Sequence, residues 1–481
     1  MTPEFIHFLI GKNKLWLSIS AATLIPLVLA GAGCGGGSSL QVGPAPPPGC
    51  LPDCGPPPSA QVTITPASDT LGPVGTRQFR ATANTGNGAM TWQVEEVGGG
   101  AVTSTGLYTA PTNTGTFHVT AVAADHSQST ASVIVAPSGF TTIGAMNVAR
   151  VSHTATLLAD GRVLLAGGDG LGSAEVFDPA KGSFTLTIGN MIQTRQGHNA
   201  VLLLSGKVLI TGGDDGVKSL ASAELFDPVS ATFVPTGNMV TPRSGATATL
   251  LPNGKVLIAG GVDGNSALLA TAELYDPAAG TFAPTSSSMT SVRWSHTATL
   301  LANGKVLLAG GRSNFSPNVH SASAELFDPS TNTFAATGSM TNGRDFHTAT
   351  LLPSGDVMVA GGNSFFSISS VELYTPTSGT FTGAGSLGTP RHFHTASLLP
   401  NGKALLVGGI DEFPGQESPE FSVLWSAELF DPNSGSFLFT GSLGTQRFGH
   451  TATLLNNGQI LVAGGSDGVG GTTLNTAELY K

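Results

Sequence analysis

Seven times between Arg150 and Lys481 the chain returns to the same three words, and a fixed period of self-similarity decides architecture before any local reading does. The first word opens at Arg150, Arg195, Arg243, Arg293, Arg344, Arg391 and Arg447, as in RVSHTATLL and RWSHTATLL. An apolar run then closes on two glycines, from Gly167-Gly168 to Gly464-Gly465. The third word, AELFDP or a near relative, carries Glu175, Glu224, Glu273, Glu325, Glu372, Glu428 and Glu478. Six copies end with a phenylalanine seven residues beyond an aromatic, as Tyr275 and Phe282. Each copy thus holds four short apolar or alternating runs between Gly, Asn, Asp and Pro turn signals, the pattern of a four-stranded antiparallel sheet. Sheets of this kind, recurring at about 50 residues, stack radially as propeller blades.

With those words in view, the chain from Gly139 onward resembles kelch repeats, in the form seen in the central domain of galactose-oxidase-like proteins. The resemblance implies an all-β chain with a seven-bladed kelch propeller over 139–481. One departure is phenylalanine at the second aromatic, where kelch repeats usually have tryptophan. The last copy stops at TAELYK and lacks a fourth strand, while GFTTIGAM, before the first copy, reads like the end of a blade. Residues 140–144 are therefore expected to supply the outer strand of blade seven and so remove an open edge.

The N-terminal side reads as an export apparatus. Lys12 and Lys14 precede an uncharged run from Leu15 to Gly33, so 1–33 is expected to be a signal peptide. Cys34 resembles the acylated cysteine of a bacterial lipoprotein, although Gly31 stands where leucine is usual and Ala30-Gly31-Ala32 also suits ordinary cleavage. Residues 34–60 are rich in proline and glycine and are expected to form a stalk, in which Cys50 and Cys54 could close a small disulfide. Residues 61–136 read as a small immunoglobulin-like sandwich, and STGLYTAP resembles bacterial domains of that type. The expected location is the bacterial cell envelope, as an outer-membrane lipoprotein or a secreted protein, monomeric and touching membrane only through its anchor. A net charge of −10 with 10% charged residues offers no basic stripe for nucleic acid.

Sevenfold residues read as architecture, since a catalytic group is needed once. The repeat arginines and glutamates are expected to pair inside or between blades, a guanidinium being suited to buried carboxylate contacts. His153, His198, His296, His347, His394 and His450 fan around a ring and are expected to bond backbone rather than converge on a metal; Ala246 replaces the seventh. No metal or other cofactor is expected. GGDG-type turns lack the spacing of a calcium loop.

The unrepeated residues lie in the loops between second and third strands, which vary in length. The longest, in blade six, holds Asp411, Glu412, Phe413, Glu417, Glu420, Phe421 and Trp425. Phe315, Phe365, Phe366, Trp294 and His392 are expected on neighbouring sectors, making one loop-rich face a binding surface. The expected function is a non-enzymatic protein that presents this face to a surface protein or glycan. The alternative is an extracytoplasmic carbohydrate-active enzyme using the blade-six acids. A copper-radical oxidase is expected to be excluded: the propeller holds no cysteine, and Tyr275, Tyr374 and Tyr480 all occupy the repeat aromatic slot.

Overall fold

The computed structural model describes residues 62–71, 76–83, 90–111, 113–135, 139–414 and 420–481. The leader, Cys34, the stalk with Cys50 and Cys54, and Glu417 lie outside the described residues. Every regular element described is a strand. Seven four-stranded antiparallel sheets follow one another from residue 139 to the end, and the innermost strand of each touches that of both neighbours, so the sheets close into a ring. The chain is an all-β, seven-bladed propeller. In the seventh sheet the outer strand is Phe140–Thr142, paired antiparallel with Ala477–Tyr480.

The second strand of each blade, such as Val163–Ala166 or Val357–Ala360, is buried along its whole length. A strand with a blade on either side has no wet face, which is why these runs are apolar without alternation. Leu164 and Ala166 of blade one pack with Val208 and Ile210 of blade two, and the other joints repeat the scheme. The six aromatic pairs seven apart face each other across the third and outer strands, with ring centres 4.7–4.9 Å apart, and Phe140 with Tyr480 makes the same pair at 5.0 Å in blade seven.

Polar residues sew this frame together. Each repeat arginine pairs with the glutamate of its own copy at 2.7–3.0 Å, both side chains being nearly sealed from solvent. The same guanidinium donates to the carbonyl of the first glycine of the pair, as Arg344 to Gly361 at 3.0 Å. The second glycine donates its N–H to the arginine carbonyl of the next blade, and Gly465 to Arg150 closes the circuit. Both glycines have positive φ, and a Cβ on Gly361 would stand 2.5 Å from the Arg391 carbonyl oxygen, so no other residue fits.

The repeat histidines correct one expectation. Each places Nε2 2.9–3.0 Å from a threonine hydroxyl on the innermost strand of the preceding blade, not on backbone. The inner strands expose threonine side chains to their neighbours, and these reach the imidazole before any carbonyl does. Burial, reinforced by the adjacent arginine cation, lowers His153, His198 and His296 to about 3. The histidines are neutral joints.

The N-terminal unit is a separate β-sandwich. A four-stranded sheet, in the order Ser68–Leu71, Gln128–Val135, Gly115–Val122, Thr91–Val94, faces shorter strands across a core of Phe79, Tyr108, Val119 and Val133. Its Arg77, ion-paired with Asp69, lays its guanidinium over the Trp425 ring of blade six, 4.5 Å from the ring centre.

Candidate functional site

The frame leaves certain positions free. One follows the repeat arginine and reads Val151, Gln196, Ser244, Trp294, Asp345, His392, Phe448 around the ring. Another follows the double glycine and reads Asp169, Asp214, Val262, Arg312, Asn363, Ile410, Ser466. In six blades the two face each other in an isolated bridge, among them Trp294 with Arg312, Asp345 with Asn363 and His392 with Ile410. Both sit where the first strand begins and the second ends, on the face carrying the long loops.

A third position, just before the repeat histidine, forms the rim of the axis: Ser152, Gly197, Gly245, Ser295, Phe346, Phe393 and Gly449, all at φ of 50–62°. Each donates its N–H to the carbonyl of its counterpart in the preceding blade at 3.0–3.4 Å, a closed circle of seven bonds. Left-handed backbone suits glycine, tolerates serine, and is an outlier for phenylalanine. Phe346 and Phe393 nevertheless occupy it side by side, ring centres 3.9 Å apart. Trp294 meets Phe346 edge-on at 5.2 Å, and Phe448 stands 6.2 Å from Phe393. The rim itself is aromatic at blades five and six, with Trp294 of blade four and Phe448 of blade seven set beside it, and is small elsewhere.

Beside the aromatic arc lies an ionic network with little solvent access. Arg312 donates Nε–H to Asp345 Oδ2 at 2.8 Å, and its guanidinium stands 5.6 Å from the centre of the Trp294 ring. His320 Nε2 accepts the Phe365 N–H at 3.4 Å, which leaves the Nδ1 proton facing Asp345 Oδ1 at 3.3 Å. Asn363 donates to Glu412 Oε2 at 2.7 Å. Burial raises the Glu412 pKa, against the pull of Asn363 and Arg312, and Asp345 adds to the rise. Ser367 Oγ lies 2.7 Å from His392 Nδ1, and burial lowers that imidazole to about 4. The arrangement can hold neutral and charged hydrogen-bonding groups against an aromatic wall and move a proton at a half-buried carboxyl.

The residues singled out in the loops divide. Trp294, Phe315, His392 and Glu412 belong to the cluster, Phe315 meeting Trp294 edge-on at 5.6 Å. The blade-six insert is a two-stranded arm, Ile410–Phe413 against Glu420–Val423, in which Glu412 faces Phe421 and Phe413 faces Glu420. Phe413 and Phe421 on the arm are 38 and 43% exposed, and Phe365 and Phe366 on the neighbouring blade-five hairpin 64 and 36%. Asp411 is half-buried, its carboxyl raised by burial, and Glu420 is exposed. Trp425 is a correction: it lies under Arg77 and packs with the blade-six and blade-seven core, so it joins two domains and is not part of the open face. Asp345, Arg312, His320, Asn363, Ser367, Phe346 and Phe393 were not foreseen. For Asp345, Arg312, Asn363, Phe346 and Phe393 the signal that would have found them is disagreement among copies at positions close to the invariant arginine and double glycine; His320 and Ser367 lie inside the variable loops and carry no such signal.

No family model matches the chain, and no curated protein matches it. Among solved structures it is similar to a fungal alcohol oxidase of the AA5 family in complex with copper, at 19% identity and a TM-score of 0.59 over 72% of this chain and 76% of that one. At that identity the likeness shows the propeller fold. It overturns the expectation of a non-enzymatic protein and the exclusion of a copper-radical oxidase that went with it, because the same architecture carries an oxidase there. The side chains described here do not themselves fit a copper centre. The Tyr275, Tyr374 and Tyr480 hydroxyls are each bonded to a threonine of the adjoining blade at 2.8–2.9 Å. Among the described residues the one set of three His, Asp or Glu with ligand atoms within 4.8 Å of one another is Glu95, Glu96 and His118, in the N-terminal sandwich. No step is therefore routed through copper.

Proposed function

We propose that the axial face over blades four to six is an enzyme site that binds a small hydroxylated substrate, an alcohol or polyol, and transfers a proton at Glu412. The observation that carries this is Glu412 itself: a half-buried carboxyl with raised pKa, held by Asn363 and flanked by the Arg312–Asp345 pair. Carboxyls raised by burial are suited to general acid and base roles. Aromatic faces from Phe346, Phe393 and Trp294 suit the C–H surface of such a substrate, and the ionic groups suit its hydroxyls. The likeness to an alcohol oxidase supports the substrate class.

The test is binding and turnover of a panel of alcohols, polyols and sugars by purified protein, with and without added copper. The expected result is binding reported by Trp294 fluorescence, with Glu412→Gln retaining binding and losing turnover. Absence of any binding, or full turnover in Glu412→Gln, overturns the reading. Regarding context, the sandwich serves as an immunoglobulin-like spacer, and the preceding segment exports and anchors a monomer through acylated Cys34 in the cell envelope. Cys50 and Cys54 close a disulfide in that compartment. Radiolabelled palmitate incorporation, lost in Cys34→Ser, checks the anchor.

A further inference from the structure

The serine beneath His392 has a complete set of partners. Ser367 Oγ is 2.8 Å from the Glu412 N–H, 3.1 Å from the Ile410 carbonyl and 2.7 Å from His392 Nδ1. A hydroxyl has one proton to give and two lone pairs to fill. The Glu412 amide can only donate and the Ile410 carbonyl can only accept. All three contacts are hydrogen bonds only if Ser367 gives its proton to Ile410 and receives one from His392 Nδ1. The alternative, with Ser367 donating to the ring, forfeits the bond to Ile410.

With the proton held on Nδ1, the neutral ring presents a bare lone pair at Nε2. The contact with Ser367 engages Nδ1, whereas the repeat histidines commit Nε2 to a threonine. His392 is 4% exposed, and its ring lies beside Phe393 at 5.0 Å and Phe346 at 6.5 Å, the two aromatic rim residues in left-handed backbone. Strain of that kind persists where the surroundings enforce it and clusters at functional sites.

We propose that His392 is the specificity-determining acceptor of the axial face: its Nε2 takes a hydrogen bond from the hydroxyl of the ligand, so that the site selects an alcohol over the corresponding carbonyl compound. This rests on the reading of that face as a substrate site. A hydroxyl donates to Nε2; a ketone of the same shape has no proton to offer and brings two lone pairs together. Ser367 is a positioning residue that acts through the ring.

The experiment has two arms on the whole protein. Long-range 1H–15N correlation spectra of histidine-labelled protein, with His392→Phe used for assignment, report the tautomer directly. The Nδ1–H form is expected in the wild type and a mixture in Ser367→Ala. Titration with cyclohexanol and cyclohexanone then measures selectivity, expected at roughly tenfold for the alcohol from one hydrogen bond and abolished in His392→Phe. An Nε2–H tautomer in the free protein overturns the inference while leaving the proposed function standing. Equal affinity for the two probes also overturns it. Failure of every hydroxylated compound to bind overturns the proposed function, and the ligand assigned to His392 goes with it.

Discussion

The two halves of the axial rim share one backbone circle and differ in almost every side chain that faces the loops. Over blades one to three the rim reads Ser152, Gly197 and Gly245, and the positions beside it hold Val151, Gln196 and Ser244. Over blades four to six it reads Ser295, Phe346 and Phe393, beside Trp294, Asp345 and His392. The hydrogen bonds that close the circle are the same in kind on both sides. The frame therefore does not require the aromatic and ionic residues of one half. What the frame requires is sevenfold, and what occurs once is available for chemistry.

Breaking the frame should cost more than breaking the site. Arg344→Ala strands Glu372 in a place with almost no solvent access, and losing one member of a buried pair costs roughly 3–5 kcal/mol. Glu412→Gln, half-buried and still bonded to Asn363, is expected to change stability by less than about 1 kcal/mol. Denaturant unfolding of the two variants checks the contrast; a larger loss in Glu412→Gln would mean that the network holds the frame.

The histidine circuit sharpens the same distinction through pH. Burial lowers the folded-state pKa of His153, His198 and His296 from 6.5 to about 3. Between those values the unfolded chain binds protons that the folded chain refuses, so stability is full above about pH 6.5 and falls as pH drops toward 3. Each histidine adds on the order of a few kcal/mol to the acid penalty. Blade three carries Ala246 at this position, so His296→Ala is expected to fold and to unfold at lower pH than the wild type in an acid titration followed by circular dichroism.

A smaller effect separates the blade-six arm from its neighbour. Trp425→Ala removes the surface on which Arg77 lies, a contact of about 1–2 kcal/mol when desolvated. The expected outcome is a sandwich that moves independently of the propeller in small-angle scattering, with alcohol binding unchanged. Lost binding would return Trp425 to the functional face.

Much of this was legible because a propeller states its rules seven times. The arginine, glutamate and double glycine announce themselves by repetition, and their partners follow from charge and size. The site is written in residues such as Asp345 and Arg312, each used once and each ordinary in its local context. Nothing in the spacing from Arg312 to Asp345 indicates that adjacent blades bring them to 2.8 Å. Trp425 illustrates the converse: an aromatic beside an acidic loop looked like a ligand platform until a second domain was found resting on it.

The finest test of the comparison exchanges the rim residues themselves. Phe346 sits at φ 50° and Phe393 at 52°, a region that costs a residue with a Cβ on the order of 1–2 kcal/mol. Phe346→Gly removes that strain and also the contacts to Trp294 and Phe393, each aromatic pair being worth about 0.5–1.5 kcal/mol. The opposing effects leave stability within about 1 kcal/mol of the wild type, while cyclohexanol binding should weaken because the wall is gone. The reciprocal change belongs at Gly197, where a Cβ meets nothing closer than 3.2 Å, and not at Gly245, where it would strike the Trp294 indole at 2.2 Å. Gly197→Phe should fold at a cost near that of left-handed strain and add no binding, since the ionic partners stand across the axis. A Phe346→Gly protein that is clearly less stable yet binds alcohol as well as the wild type would show that the aromatic arc is packing, and the two halves of the rim would then differ in composition alone.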